Sequence, residues 1–203
     1  MKTKLWIALL ALYIVWGSTY LAIRFAVETI PPFLHASMRF LISGAILYAW
    51  RRTAGDPAPT RGNWKAAAIV GTFLLLGGNG LVSLAEKTVP SGVAALVIAT
   101  SPFWLTLFEA FRAGGTKPNW LSILGLVVGF SGVFLLIGPA EITGSEQKID
   151  SFGAIILLIA PILWSSGSIY AKNADMPKST LMSTGMQMLA GSVALFIVSV
   201  ATG

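Results

Sequence analysis

The chain has 203 residues, of which 55% are hydrophobic and 11% charged. A soluble domain carries about 25% charged residues, so a water-soluble globular protein is excluded and lipid must cover part of the surface. The formal charge of +6 does not indicate nucleic acid, because the basic residues sit in short connectors and not in a patch with interleaved aromatics. The absence of cysteine excludes a disulfide framework and a thiolate metal site.

A bilayer core of roughly 30 Å needs about 20 apolar residues in a helix. Seven segments meet that length, at 5–23, 32–50, 66–86, 91–111, 120–138, 151–171 and 180–200. The fold class is therefore all-α, a polytopic transmembrane bundle. The opening Met1-Lys2-Thr3-Lys4 imitates a signal peptide, but the apolar run reaches about Ile23, too long for an h-region, and reads as a retained first span. Tyr13, Trp16 and Tyr20 share one face of it. Trp16 lies near mid-bilayer, where an indole N–H needs a partner. This face is predicted to wall a cavity and stack against substrate.

The second span begins at Pro32, where a missing N–H costs nothing. Arg39 lies seven residues inside it, about 10 Å deep at 1.5 Å per residue. A charge at mid-bilayer costs roughly 2.5–3.5 kcal/mol on insertion scales, so Arg39 either faces the cavity, pairing with Glu86 or an anionic substrate group, or snorkels outward. His35 is one turn away on the same face, and exchanges protons near neutral pH or is merely solvated. In the third span Asn79, Ser83 and Glu86 form a polar stripe that either bonds a neighbouring helix or wets a cavity. Glu86 is a candidate proton carrier; the alternative is a solvated helix end beside Lys87. Gly77, Gly78 and Gly80 permit close packing or a bend.

Pro102 and Pro161, inside the fourth and sixth spans, each remove a backbone bond and are hinge candidates. Glu109 and Arg112 are spaced for an interfacial ion pair. Gly125 and Gly129 have the spacing of close helix packing. Trp164, with Ser165, Ser166 and Ser168, is placed on the wall opposite Trp16. Gln187 of the seventh span is expected at the mirrored depth of Arg39.

Lys/Arg bias sets orientation. With the N-terminus inside, one side receives ten basic residues and the other only Arg24, Lys87 and Lys148, so the N-terminus is predicted to be cytoplasmic and the acidic connector Glu141–Asp150 outside. A shift of 148 positions lays Trp164 on Trp16, Ser166 on Ser18 and Lys172 on Arg24, and aligns Met38-Arg39-Phe40-Leu41 with Met186-Gln187-Met188-Leu189. The repeat unit would be 1–148, five spans, with its second copy beginning at 149–203. An odd number of spans inverts the second copy, as in secondary transporters. That copy would end at about residue 296, so the expectation is a product truncated after its seventh helix.

Tyr13-Ile14-Val15-Trp16-Gly17-Ser18-Thr19-Tyr20, Met38-Arg39-Phe40-Leu41, Gly78-Asn79-Gly80-Leu81-Val82-Ser83-Leu84-Ala85-Glu86 and Val89-Pro90-Ser91-Gly92-Val93-Ala94-Ala95 resemble the EamA family of the drug/metabolite transporter superfamily, in particular its YedA-like inner-membrane members. The resemblance covers the whole chain. It implies a ten-helix exporter of metabolites or drugs, with a cavity lined by helices one to four and six to nine and with the fifth and tenth at the periphery. The implied partners are a small-molecule substrate and the lipid bilayer, with protons as the candidate coupling ion; a homodimer is compatible, nucleic acid is not, and no cofactor is implied.

Three rival readings are weaker. Gly129-Phe130-Ser131-Gly132 matches the G-x-S-G of intramembrane serine proteases, but such a serine needs a later histidine base and the only one, His35, lies upstream. No metal cluster or phosphate loop is present, so the chain is not read as an enzyme. A seven-helix receptor needs an external N-terminus. A non-transporting membrane scaffold remains as the alternative for a truncated chain.

Overall fold

The computed structural model describes the backbone of residues 2–112, 114–143 and 150–202, and the side chains of 4–112, 114–132 and 150–202. Those residues form seven helices and no strand: α1 (Lys2–Val27), α2 (Pro32–Thr53), α3 (Arg61–Ala85), α4 (Ser91–Phe111), α5 (Trp120–Thr143), α6 (Ser151–Ala171) and α7 (Thr180–Thr202). They coincide with the seven predicted spans. Helices α1, α3, α4, α6 and α7 are each long and apolar enough to cross a membrane. Helix α2 is not among these five. Its 22 residues reach about 33 Å, but His35, Arg39, Arg51 and Arg52 lower its hydropathy. Of α5, Trp120–Gly132 forms a shorter apolar stretch. Lys148 and the proposed boundary between repeats at 148/149 lie outside the described residues.

The centre of the bundle is α2, α3, α6 and α7. Small residues let α2 and α7 approach backbone to backbone, which drives helix association in lipid through van der Waals packing. A Cβ on Gly44 would stand 2.8 Å from Cβ of Met188, and one on Gly185 3.0 Å from the Tyr48 nitrogen. Further along the pair, Ser37 donates to the Ser192 carbonyl at 2.9 Å. Helix α3 meets α7 in the same way, because a Cβ on Gly71 would lie 2.5 Å from the Gln187 carbonyl oxygen. That atom is main chain and cannot swing aside. We expect Gly71→Ala to destabilise the bundle by roughly 1–3 kcal/mol, read as a lower unfolding midpoint in detergent; an unchanged midpoint would show that α3 and α7 do not touch there.

Apolar contacts fill the remaining space. Phe33, Ala36 and Phe40 of α2 pack on Leu75 of α3 and Leu195 of α7. Val82, Ala85, Val89 and Ala94 pack on Ile156, Leu157 and Ala160 of α6. Helices α1 and α5 are peripheral and turn large apolar side chains outward, among them Leu5, Trp6, Ile7, Val127 and Val128. In water such surface would drive association; here it is the face a bilayer covers.

The connectors gather at two ends. At one end Thr60 and Asn63 cap α3 reciprocally, with bonds of 2.9 and 3.1 Å, a capping box. The Asn63 amide also donates to the Asp175 carbonyl at 2.9 Å, tying the connector before α3 to the one before α7. In the same connector Arg51 grips Asp56 through two bonds, 2.9 and 2.6 Å. Arg51, with help from Ser179, holds the Asp56 carboxyl below the usual carboxylate range. At the other end Thr88 donates to Asp150 at 3.3 Å, and Asp150 caps α6 by accepting from Gly153 N–H. Among the described residues, Lys4, Arg51, Arg52, Arg61, Lys65, Arg112, Lys117, Lys172 and Lys178 share the first end, and Arg24 and Lys87 the second.

Two helices depart from regular α winding. Thr72–Gly80 of α3 is a π-helix, a form that is rare and frequent at functional sites. Two of its glycines press against α6: a Cβ on Gly77 would meet Leu163 at 2.9 Å and one on Gly78 would meet Trp164 at 2.9 Å. Helix α4 breaks at Ala99–Thr100. Pro102 has no N–H to give the Ile98 carbonyl, and the Ser101 hydroxyl donates to that oxygen instead, at 2.6 Å. Pro102 thus opens the second half of α4, whereas Pro161 sits inside an unbroken α6.

Candidate functional site

A cavity of about 710 Å³ lies between α1, α3, α4 and α6, within the size of small-molecule sites. Helix α1 contributes Tyr13, Trp16, Thr19, Tyr20 and Ile23; α3 contributes Gly78, Asn79 and Val82; α6 contributes Trp164. The α4 wall is the broken segment, Ala95 to Leu105, including Ser101 and Pro102. The aromatic face of α1 and Trp164 therefore share one cavity, as the sequence suggested. The resemblance implied that the fourth helix lines the cavity, but its lining residues other than Pro102 were not singled out, because Ala95, Ile98 and Ala99 carry no polar or aromatic signal.

The lining is mostly apolar with a few polar groups. The π winding of α3 brings Asn79 to the cavity. Its amide donates to the Leu74 carbonyl at 3.2 Å, and its side-chain oxygen accepts from Arg39 Nη2 at 3.3 Å. The α6 serines are locally satisfied: Ser166 and Ser168 donate to carbonyls one turn back, at 2.8 Å each. Ser165 instead donates to the Ser101 carbonyl at 3.3 Å, pinning the α4 break to α6.

Arg39 stands behind Asn79, with its guanidinium 4.5 Å from the Phe40 ring centre. The expected Arg39–Glu86 ion pair is absent among the described residues; Asn79 is the nearer acceptor and takes the bond. Glu86 is not a solvated helix end either. It is 0% exposed, and neither carboxylate oxygen has a hydrogen-bond partner among the described residues. Arg24, read from sequence as a connector residue, donates to the Glu86 backbone carbonyl. His35 is half-buried, with its Nδ1 shielded and unpartnered among the described residues. A buried carboxylate without hydrogen bonds is costly by several kcal/mol.

Gln187 lies apart from this cavity. Its amide donates to the Ser183 hydroxyl at 3.0 Å, and its backbone carbonyl faces Gly71. Among the described residues no group of three or more His, Asp or Glu is arranged to hold a metal ion.

Residues 3–138 match the model of the EamA-like transporter family. The chain is 39% identical over 197 residues to the inner membrane transporter YedA of Escherichia coli (strain K12), covering 97% of this chain and 62% of YedA. It is 22% identical over 200 residues to the transporter YoaV of Bacillus subtilis (strain 168), covering 97% of this chain and 66% of that protein. A WAT1-related chloroplastic protein of Arabidopsis thaliana is 22% identical over 197 residues, 96% of this chain and 47% of its own length. The chain thus spans between about half and two thirds of the length of these relatives. No solved structure matches it significantly. The chain belongs to the EamA-like transporter family.

Proposed function

We propose that this chain carries the substrate cavity of a transporter that exports small metabolites or drugs across the bacterial inner membrane by alternating access. The observation that carries the reading is the 710 Å³ cavity walled by aromatic side chains and floored by a broken and a π-wound helix. Tyr13, Trp16, Tyr20, Asn79 and Trp164 are the proposed substrate contacts. Arg39 acts through Asn79. Glu86 and His35 are the proposed proton-coupling groups, and the α4 break at Pro102 and the Pro161 site are the proposed hinges. Gln187 acts at the far gate and not in this cavity.

The two-repeat organisation, 1–148 and 149 onward, belongs to the same proposal. Under the shift of 148, Ser37 corresponds to Gly185 and Gly44 to Ser192. The shift therefore exchanges the two α2–α7 contacts, Ser37 with Ser192 and Gly44 with Gly185. Equivalent small residues at exchanged contacts support a two-fold relation between the helices. The N-terminus is proposed to be cytoplasmic, from the clustering of basic residues at the end of the bundle that holds it.

The test is transport in vesicles with a metabolite panel, comparing the protein with Ala99→Trp, which places an indole in the cavity. For a transported compound we expect about a tenfold loss of rate, equivalent to about 1.4 kcal/mol. Equal rates would remove the cavity as the transport site.

A further inference from the structure

A second cavity, of about 450 Å³, lies at the basic end of the bundle, where the end of α4, the start of α5 and the end of α6 meet. Leu105 borders both cavities, but the linings differ in kind. The second is polar and carries Glu109, Thr116, Lys117, Asn119, Ser122 and Lys172.

Charge here is unbalanced. Glu109 is the one carboxylate among the described lining residues, and both its oxygens are engaged, with Lys172 Nζ at 2.6 Å and Arg112 Nη2 at 2.8 Å. Lys117 forms no ion pair among the described residues. The Arg112 Nε is shielded from water and lacks a partner among them. Two cations, Lys117 and Lys172, thus line a cavity with one anion, and Arg112 backs that anion from outside the lining. The first turn of α5 adds partial positive charge: Asn119 caps it, accepting from the Ser122 backbone and hydroxyl at 2.8 Å each.

A surplus of positive charge, the Thr116 hydroxyl and a helix start suit an anion with several oxygens. We propose that this cavity is a phosphate-binding site, of the kind filled by the headgroup of an anionic phospholipid. Lys117 and Lys172 supply the charge, and Glu109, backed by Arg112, holds Lys172 in place. The depth fits a headgroup. Trp120, beside the cavity, is 71% exposed, and tryptophans on an outer surface favour the membrane–water boundary. The proposed orientation puts this end in the cytoplasm, where anionic lipids attract basic groups.

Lys117 makes the sharper test, because it is exposed and its replacement breaks no ion pair. The protein in detergent is titrated with phosphatidylglycerol, with phosphatidylcholine and with inorganic phosphate, reading the thermal unfolding midpoint. Phosphatidylglycerol should raise the midpoint saturably, and phosphatidylcholine much less. Lys117→Glu should raise the half-saturating concentration by about tenfold or more, and Lys117→Gln by less. Inorganic phosphate giving the same Lys117-dependent shift, without an effect of lipid, would support the site with a soluble phosphate as occupant. Shifts that ignore Lys117 in both variants, or no shift with either phosphate source, would overturn the proposal. Transport is not read, so the outcome is independent of the large cavity.

Discussion

Replacing Glu86 with glutamine should uncouple the transporter from the proton gradient. The side chain keeps its size but can no longer bind and release a proton. Gradient-driven transport in vesicles is expected to fall by at least about tenfold, equivalent to about 1.4 kcal/mol, while exchange of labelled for unlabelled substrate without a gradient continues. The basis is the position of Glu86: fully buried, with both oxygens unpartnered among the described residues and with Arg24 holding the backbone at the same residue. Ionisable groups at membrane depth mark proton and ion pathways when they face a cavity or one another. If Glu86→Gln is driven by a proton gradient as well as the parent protein, Glu86 is a packing residue and coupling must lie elsewhere.

The second large effect is expected at Arg39. Its guanidinium bonds Asn79 at 3.3 Å and covers the Phe40 ring, so Arg39→Ala frees the one amide on the cavity wall and removes a cation from the neighbourhood of Glu86. Transport should fall by about tenfold or more, through the rate and the half-saturating concentration together. Arg39→Lys should recover only part, because an ammonium keeps the charge but not the planar fork. Asn79→Ala in the Arg39→Ala background should add little, since residues that act as a unit are non-additive. Unchanged transport in Arg39→Ala would remove Arg39 from the site.

The fold was legible because bilayer length and apolar composition leave few choices. All seven helices start within about five residues of the predicted spans, and punctuation at Pro31-Pro32, Pro90 and Pro118 marks the breaks. The aromatic wall was legible for a related reason: Trp16 and Trp164 are costly at mid-bilayer unless something uses them. Two features were not. The π winding of Thr72–Gly80 changes which residues share a face, and a regular helical wheel cannot anticipate it. The partner of Arg39 depended on that winding, which offers Asn79 in place of Glu86. Likewise Lys172 reaches Glu109 across 63 positions of chain, a pairing no local spacing announces. Glycine runs hinted at close contact, yet only the packed bundle shows that Gly71 meets Gln187 and Gly44 meets Met188.

That α2 and α7 touch along their main chains has a mechanical consequence. Where Ser37 meets Ser192 and Gly44 meets Gly185, no long side chain separates the two main chains, so the helices are held at close range there and behave as an axle. Under the proposed alternating access, motion that opens the cavity to either face then belongs to the more loosely held α1 and to the two halves of α4. Spin labels across the axle should keep one distance through a transport cycle, while labels on α1 and α4 should report two.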